Sequence, residues 1–144
     1  MEDSIGTVIF LASKSLERAA EFRIKSDLDL TSSQWKVILA LNLFNGISQK
    51  ELAGKIYVDG STLVPIIDKM EKGGLVERKP DPNDRRNNLI FLTKKSKSTV
   101  DSIIKIILEL RKEFYKGITQ EEQKNVKMIL KKIVDNADNT LNKA

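Results

Sequence analysis

The sequence predicts a mainly α-helical fold carrying one small β-hairpin, and three observations predict it. Between Leu75 and Thr93, the apolar runs Leu75–Val76 and Leu89–Leu92 flank a turn-rich middle, Pro80-Asp81-Pro82-Asn83-Asp84. Just before it lie two short amphipathic segments, separated by the break Tyr57-Val58-Asp59-Gly60. Toward both ends of the chain, much longer segments repeat apolar residues at three-to-four spacing, the period of a helix with one buried side.

Residues 4–26 carry Ile5, Val8, Ile9, Ala12, Leu16, Ala19 and Phe22 in such a stripe, opposite Lys14, Arg18, Glu21 and Lys25, which predicts a helix of about six turns. The chain breaks at Asp27-Leu28-Asp29-Leu30. Thr31-x-x-Gln34 has capping-box spacing and opens a second helix with Trp35, Ile38, Leu39, Leu41 and Leu43. It ends near Asn45-Gly46, where glycine supplies the left-handed stop. Ser48-x-x-Glu51 opens a short third helix with Leu52, Ala53 and Ile56; a fourth, over about 61–72, carries Leu63, Ile66, Ile67 and Met70 and stops at Gly73-Gly74. The pair has the size of a helix-turn-helix.

In the stretch that follows, Val76 and Arg78, then Leu89 and Phe91, alternate with Glu77 and Lys79, then Ile90 and Leu92, as in a two-stranded hairpin. Proline removes a backbone donor and Asn and Asp favour turns, so Pro80–Asp84 is expected to interrupt the strands. An isolated hairpin is marginal at best and must lean on the helices around it. Added to the helix pair, it makes a winged helix-turn-helix.

Thr93 is expected to cap a fifth helix with Val100, Ile103, Ile104, Ile107, Leu108 and Phe114, ended by Gly117. Thr119-x-x-Glu122 opens a sixth with Val126, Ile129, Leu130, Ile133, Ala137 and Leu141. These two helices and the first are too long and too apolar on one side for a small winged lobe to cover, a mark of association. The expected organisation is one domain, 1–144: a winged lobe over 31–92, and dimerisation helices over 1–30 and 93–144. Leu108, Phe114, Ile129 and Ile133 are expected to be buried by a partner chain or by the terminal helix pair.

The chain has neither cysteine nor histidine, which removes disulfides, thiol redox chemistry and the commonest metal ligand and general base. No cofactor and no enzymatic activity are expected. No run approaches a bilayer span and no signal pattern opens the chain, so the expectation is a cytoplasmic protein without a membrane partner. Of the net charge of +5, residues 75–97 alone contribute +4, from seven basic and three acidic side chains. A basic projection concentrated on the hairpin and the start of the next helix points to a polyanion partner.

The residues Gly74-Leu75-Val76-x-Arg78, Asp84-x-Arg86 and Leu92-Thr93 keep the spacings of the wing in MarR-type transcriptional regulators, and the chain resembles that family along essentially its whole length. Gly60-Ser61-Thr62-Leu63-Val64-Pro65 and Glu71-Lys72-Gly73-Gly74 are similar to its recognition helix and exit. The resemblance implies that this helix enters the major groove and that Arg86, at the wing tip, enters the minor groove. Asp84 would orient the Arg86 guanidinium, in a pairing whose bidentate geometry suits arginine, or would cap the turn. Arg78 would complete that pair or contact phosphate. Ser61, Thr62, Val64, Pro65, Asp68 and Lys69 lie off the Leu63–Ile67–Met70 stripe and are expected to face outward, where hydroxyls reach phosphate or base edges. Ser48, Gln49 and Arg85 complete the candidate DNA-binding set.

Two departures from the pattern stand out. Ser96 falls where a glycine is usual. Pro65 replaces a residue that is polar in many members; it sits one turn into its helix and frees a carbonyl near Ser61. A Thr-Leu-x-Pro run also occurs in a peroxide-sensing branch, whose thiol chemistry a chain without cysteine cannot perform. The function expected is that of a homodimeric, sequence-specific repressor on a pseudo-palindromic DNA duplex, answering to a small phenolic or other aromatic effector. The alternatives are a protein-interaction winged-helix module and a sequence-neutral, chromatin-type DNA binder.

Overall fold

The structure, a computed structural model, describes residues 4–143; residues 1–3 and 144 of the expected terminal helices lie outside them. The chain divides into two compact units, residues 1–108 and 109–144. The first holds α1 (Ile5–Leu28), α2 (Ser32–Leu43), β1 (Ile47–Ser48), α3 (Gln49–Lys55), α4 (Gly60–Lys72), β2 (Val76–Pro80), β3 (Asn88–Leu92), a single 3-10 turn (Lys94–Ser96) and most of α5 (Lys97–Phe114). The second holds the end of α5 and all of α6 (Gln120–Asn142).

The three capping boxes form as their spacings dictate. In each, the hydroxyl of Thr31, Ser48 or Thr119 accepts an amide N–H three residues on, and the Gln34, Glu51 or Glu122 side chain accepts the cap's own N–H. α2 is the axis of the first unit: Trp35, Val37, Ile38, Ala40 and Leu41 are all buried, together with Leu52, Leu63, Ile67, Met70, Val76, Ile90, Val100 and Ile103 from the elements around it. α1 departs from its expected stripe. Ile5, Val8, Leu16 and Phe22 are exposed, while Ala20 and Ile24 are the buried pair. Polar contacts tie the helix to α2: Lys36 pairs with Glu17, and Ser32 Oγ donates to Glu21 Oε1 at 2.5 Å. The Lys36 ammonium holds the Glu17 carboxyl below its ordinary range.

The expected two-stranded hairpin is a three-stranded antiparallel sheet in the order β1-β3-β2. β1 is only two residues long, Ile47 and Ser48 pairing with Ile90 and Leu89. Its entry needs Gly46, at φ 79°, where a Cβ would stand 2.7 Å from the Phe91 ring. Pro80, expected to end the strand, is its last member, opposite Asn88. A terminal strand position forgoes no necessary ladder donor. The register also corrects the alternation. Val76 faces Leu92 and Arg78 faces Ile90, so these four share one side; Glu77, Phe91, Lys79 and Leu89 share the other.

Thr93 caps the 3-10 turn that precedes α5 rather than the α-helix itself. Ser96, the departure from the glycine pattern, is buried there, its hydroxyl donating to the Thr93 carbonyl at 2.7 Å. On α5 the buried residues are Val100, Ile103, Ile106 and Leu110, so the stripe runs beside the expected one and Leu108 stays half exposed. α6 has no buried residue. Val126, Ile129, Ile133 and Val134 are all at least 37% exposed, and an open concavity of about 970 Å³ runs between Tyr115, Ile118, Val126, Leu130 and Val134.

Candidate nucleic-acid interface

α4 presents two unlike faces. Leu63, Ile67 and Met70 are inside, and Ser61, Thr62, Val64, Pro65, Asp68 and Lys69 are all exposed, as the three-to-four spacing requires. Its cap, Asp59, makes no side-chain hydrogen bond, unlike the caps of α2, α3 and α6. The Asp59 carbonyl takes the amides of Thr62 and Leu63, at 3.0 and 3.1 Å, so neither Ser61 nor Thr62 is the cap. Among the described residues, the side chains of Ser61 and Thr62 make no hydrogen bond within the chain and are open to a ligand. Pro65, the sixth residue of the helix and one turn beyond Ser61, has no N–H to give the Ser61 carbonyl. Helix N-termini with open donors suit phosphate oxygens.

The wing tip is a compact turn built by two aspartates. Asp81 Oδ1 accepts the Asn83 amide at 2.8 Å, and Asp84 Oδ1 accepts the Arg86 amide at 3.1 Å. The same Asp84 oxygen accepts Arg86 Nε at 3.3 Å, while Oδ2 takes the Asn87 side chain at 3.2 Å. Capping the turn and orienting the arginine are therefore one arrangement. The expected bidentate fork is absent because both carboxylate oxygens are already engaged by the turn. Only Nε of Arg86 is held, the side chain is 91% exposed, and both Nη atoms are left for an outside acceptor. Arg85, beside it, is exposed and without an ion pair among the described residues.

Arg78 does something else. It does not complete the Asp84 pair; its Nη2 lies 2.6 Å from Asp68 and its Nη1 3.1 Å from Glu71, both on α4. Nε also reaches Gln49 Oε1 on α3, at 3.5 Å, and the backbone N–H donates to Glu71 Oε2 at 3.0 Å. The side chain is only 18% exposed. Gln49 is accordingly engaged inside the lobe, and Ser48 is bound up in β1 and its capping box. Glu71 is the partner of Arg78 that sequence reasoning missed. The signal available was the left-handed Gly74, at φ 75°, which folds β2 back so that residues on either side of the turn meet.

Among the described residues no cluster of three or more His, Cys, Asp or Glu could hold a metal ion, and no helix is long and apolar enough to cross a membrane. What the lobe offers is an exposed helix face with free hydroxyls and, beside it, a wing ending in arginines.

Comparison with known proteins agrees with that geometry. A profile of the MarR family matches residues 30–87, the span from the end of the α1–α2 loop to the wing. The HTH-type transcriptional regulator SarZ of Staphylococcus haemolyticus is 29% identical over 129 residues, 90% of this chain and 86% of that protein. Among solved structures, the transcriptional regulator PA3341 is 31% identical, with a TM-score of 0.86 over 94% of this chain and 99% of that one. A mutant MarR of E. coli, solved in complex with operator DNA, is 28% identical, with a TM-score of 0.77 over 90% of this chain and 92% of that one. A family profile on the winged lobe, and a relative matched along almost its whole length, mean that this chain belongs to the MarR family, whose members are transcriptional regulators and not enzymes.

Proposed function

We propose that this chain is a sequence-specific repressor, acting in the cytoplasm as a homodimer on a pseudo-palindromic duplex site. The observation that carries the reading is the pairing of two free surfaces on one lobe: the open Ser61–Thr62 end of α4 and the 91%-exposed Arg86 at the wing tip. In this reading α4 lies in the major groove, with Ser61, Thr62, Val64, Pro65 and Lys69 toward phosphate or base edges. Arg86 enters the adjacent minor groove, where a narrow A·T-rich stretch concentrates negative potential, and Arg85 adds phosphate attraction. The E. coli relative solved with operator DNA supports this use of the lobe.

The dimer reading assigns residues 31–92 to DNA and residues 1–30 and 93–144 to self-association. It is supported by the uncovered apolar residues of α1 (Ile5, Val8, Leu11 and Phe22) and of α6 (Val126, Ile129, Ile133 and Val134). Two recognition helices roughly 34 Å apart would then meet successive major grooves. An effector that binds one separation better than another shifts the equilibrium toward it. A small phenolic or other aromatic effector is the input proposed.

Selection of bound duplexes from a random pool, with and without phenolic ligands, tests the reading. Enrichment of an inverted repeat that ligand releases, with Trp35 fluorescence changing in parallel, is the expected result. Salt-dependent binding without a preferred site would make the chain a sequence-neutral binder, and no binding at all a protein-interaction module. Sedimentation at micromolar concentration should give a dimer; a stable, well-folded monomer would remove the two-site geometry.

A further inference from the structure

From β2, the Arg78 guanidinium reaches both helices of the pair: Gln49 on α3, and Asp68 and Glu71 on α4. Its main-chain N–H adds a further bond to Glu71 at 3.0 Å. Arginine suits the task because its planar fork supplies several donors in fixed directions, where lysine offers a single nitrogen. The bracing is needed locally. Beyond Pro80 the wing is a turn and a strand start whose residues 82, 83 and 85–88 are all exposed, so the tip has little packing of its own. Asp68 and Glu71, in turn, stand on the same helix as Ser61, Thr62 and Val64, and the arginine occupies carboxylates that would otherwise face a phosphate backbone unpaired.

We propose that Arg78 is a positioning residue for DNA recognition, fixing the wing against α4 so that Arg86 and the exposed face of α4 reach their grooves at one set spacing. The inference rests on the reading of α4 and the wing as the DNA-facing surface. A braced wing presents Arg86 already ordered, whereas an unbraced one must be ordered at the moment of binding, and that cost comes off the contact.

The test is a double-mutant cycle, read by fluorescence anisotropy on the selected duplex. In the otherwise wild-type chain, Arg86→Ala should weaken binding roughly tenfold, one arginine contact's worth. In the Arg78→Met background the same change should weaken it only about twofold, because coupled residues are non-additive. Asp68→Asn combined with Glu71→Gln breaks the same bridge from the helix side and should shrink the Arg86 effect likewise; this variant carries the test if Arg78→Met does not fold. Arg78→Lys, which keeps the charge and loses the fork, should also shrink it. A role confined to lobe stability would leave the Arg86→Ala effect at its full size in every background, and that result overturns the proposal while leaving the DNA reading intact. If Arg86→Ala has no effect even in the wild-type background, the wing is not a DNA contact, and the proposal falls with that reading.

Discussion

The wing carries two arginine–carboxylate arrangements of the same chemistry and opposite design. At the tip, Arg86 meets Asp84 through one nitrogen at 3.3 Å and stays 91% exposed. At the root, Arg78 meets Asp68 at 2.6 Å and Glu71 at 3.1 Å and is 18% exposed. An exposed pair is screened and contributes little to the fold, so the tip pair leaves its arginine free for an outside acceptor. Each of the three guanidinium nitrogens of the root arginine already meets an acceptor of its own chain. Only Arg86 stands in an Asp-x-Arg spacing; the acids of Arg78 come from α4, and surroundings, not spacing, decide which guanidinium is held and which is left open.

The comparison predicts unequal costs. Arg78→Met should lower lobe stability by about 1–2 kcal/mol, less than a fully buried pair because Asp68 and Glu71 are partly solvated. Urea unfolding followed by Trp35 fluorescence reads this directly, and Arg86→Ala should be silent in the same experiment. On DNA, Arg86→Lys should recover only part of the affinity lost in Arg86→Ala, since lysine keeps the charge and loses the planar fork. Asp84→Asn should cost less, roughly two- to threefold in affinity, because the amide still caps the turn while its hold on the guanidinium weakens.

The smallest effect calibrates the others. Glu17 and Lys36 form a half-buried pair away from the wing, with side chains 27% and 29% exposed. The folded-state pKa of Glu17 is depressed, so its contribution is present above the ordinary carboxylate value and is lost as pH falls through the folded value. Glu17→Gln should therefore cost roughly 0.5–1 kcal/mol at neutral pH and nothing in acid. A pH-independent difference would mean that packing, not charge, is what the substitution removes.

Much of the local structure was legible in the chain. Three capping boxes, the left-handed glycine at Gly74 that follows α4 and the outward set Ser61, Thr62, Val64, Pro65, Asp68 and Lys69 follow from local spacing, and local spacing is what a sequence displays. Gly46 is left-handed too, but α2 is capped by Phe44 and Gly46 serves the entry to β1. The parts that were not legible depend on partners distant in the chain. β1 is two residues long, too short for any period, and exists only because β3 passes beside it. The buried line of α5 includes Ile106 and Leu110 rather than Leu108, because on a helix this apolar several stripes compete and the neighbouring elements choose. The partners of Arg78 were hidden for the same reason: Asp68 and Glu71 come from another element.

The most direct test of the two-arginine account is the salt dependence of operator binding. Log affinity against log salt concentration should be linear for the wild type, and Arg86→Ala should reduce the slope by about 1 unit, the signature of one lost contact with the phosphate field. Parallel lines of equal affinity for the wild type and Arg86→Ala would contradict it, leaving the tip as a spacer and DNA binding to α4 alone.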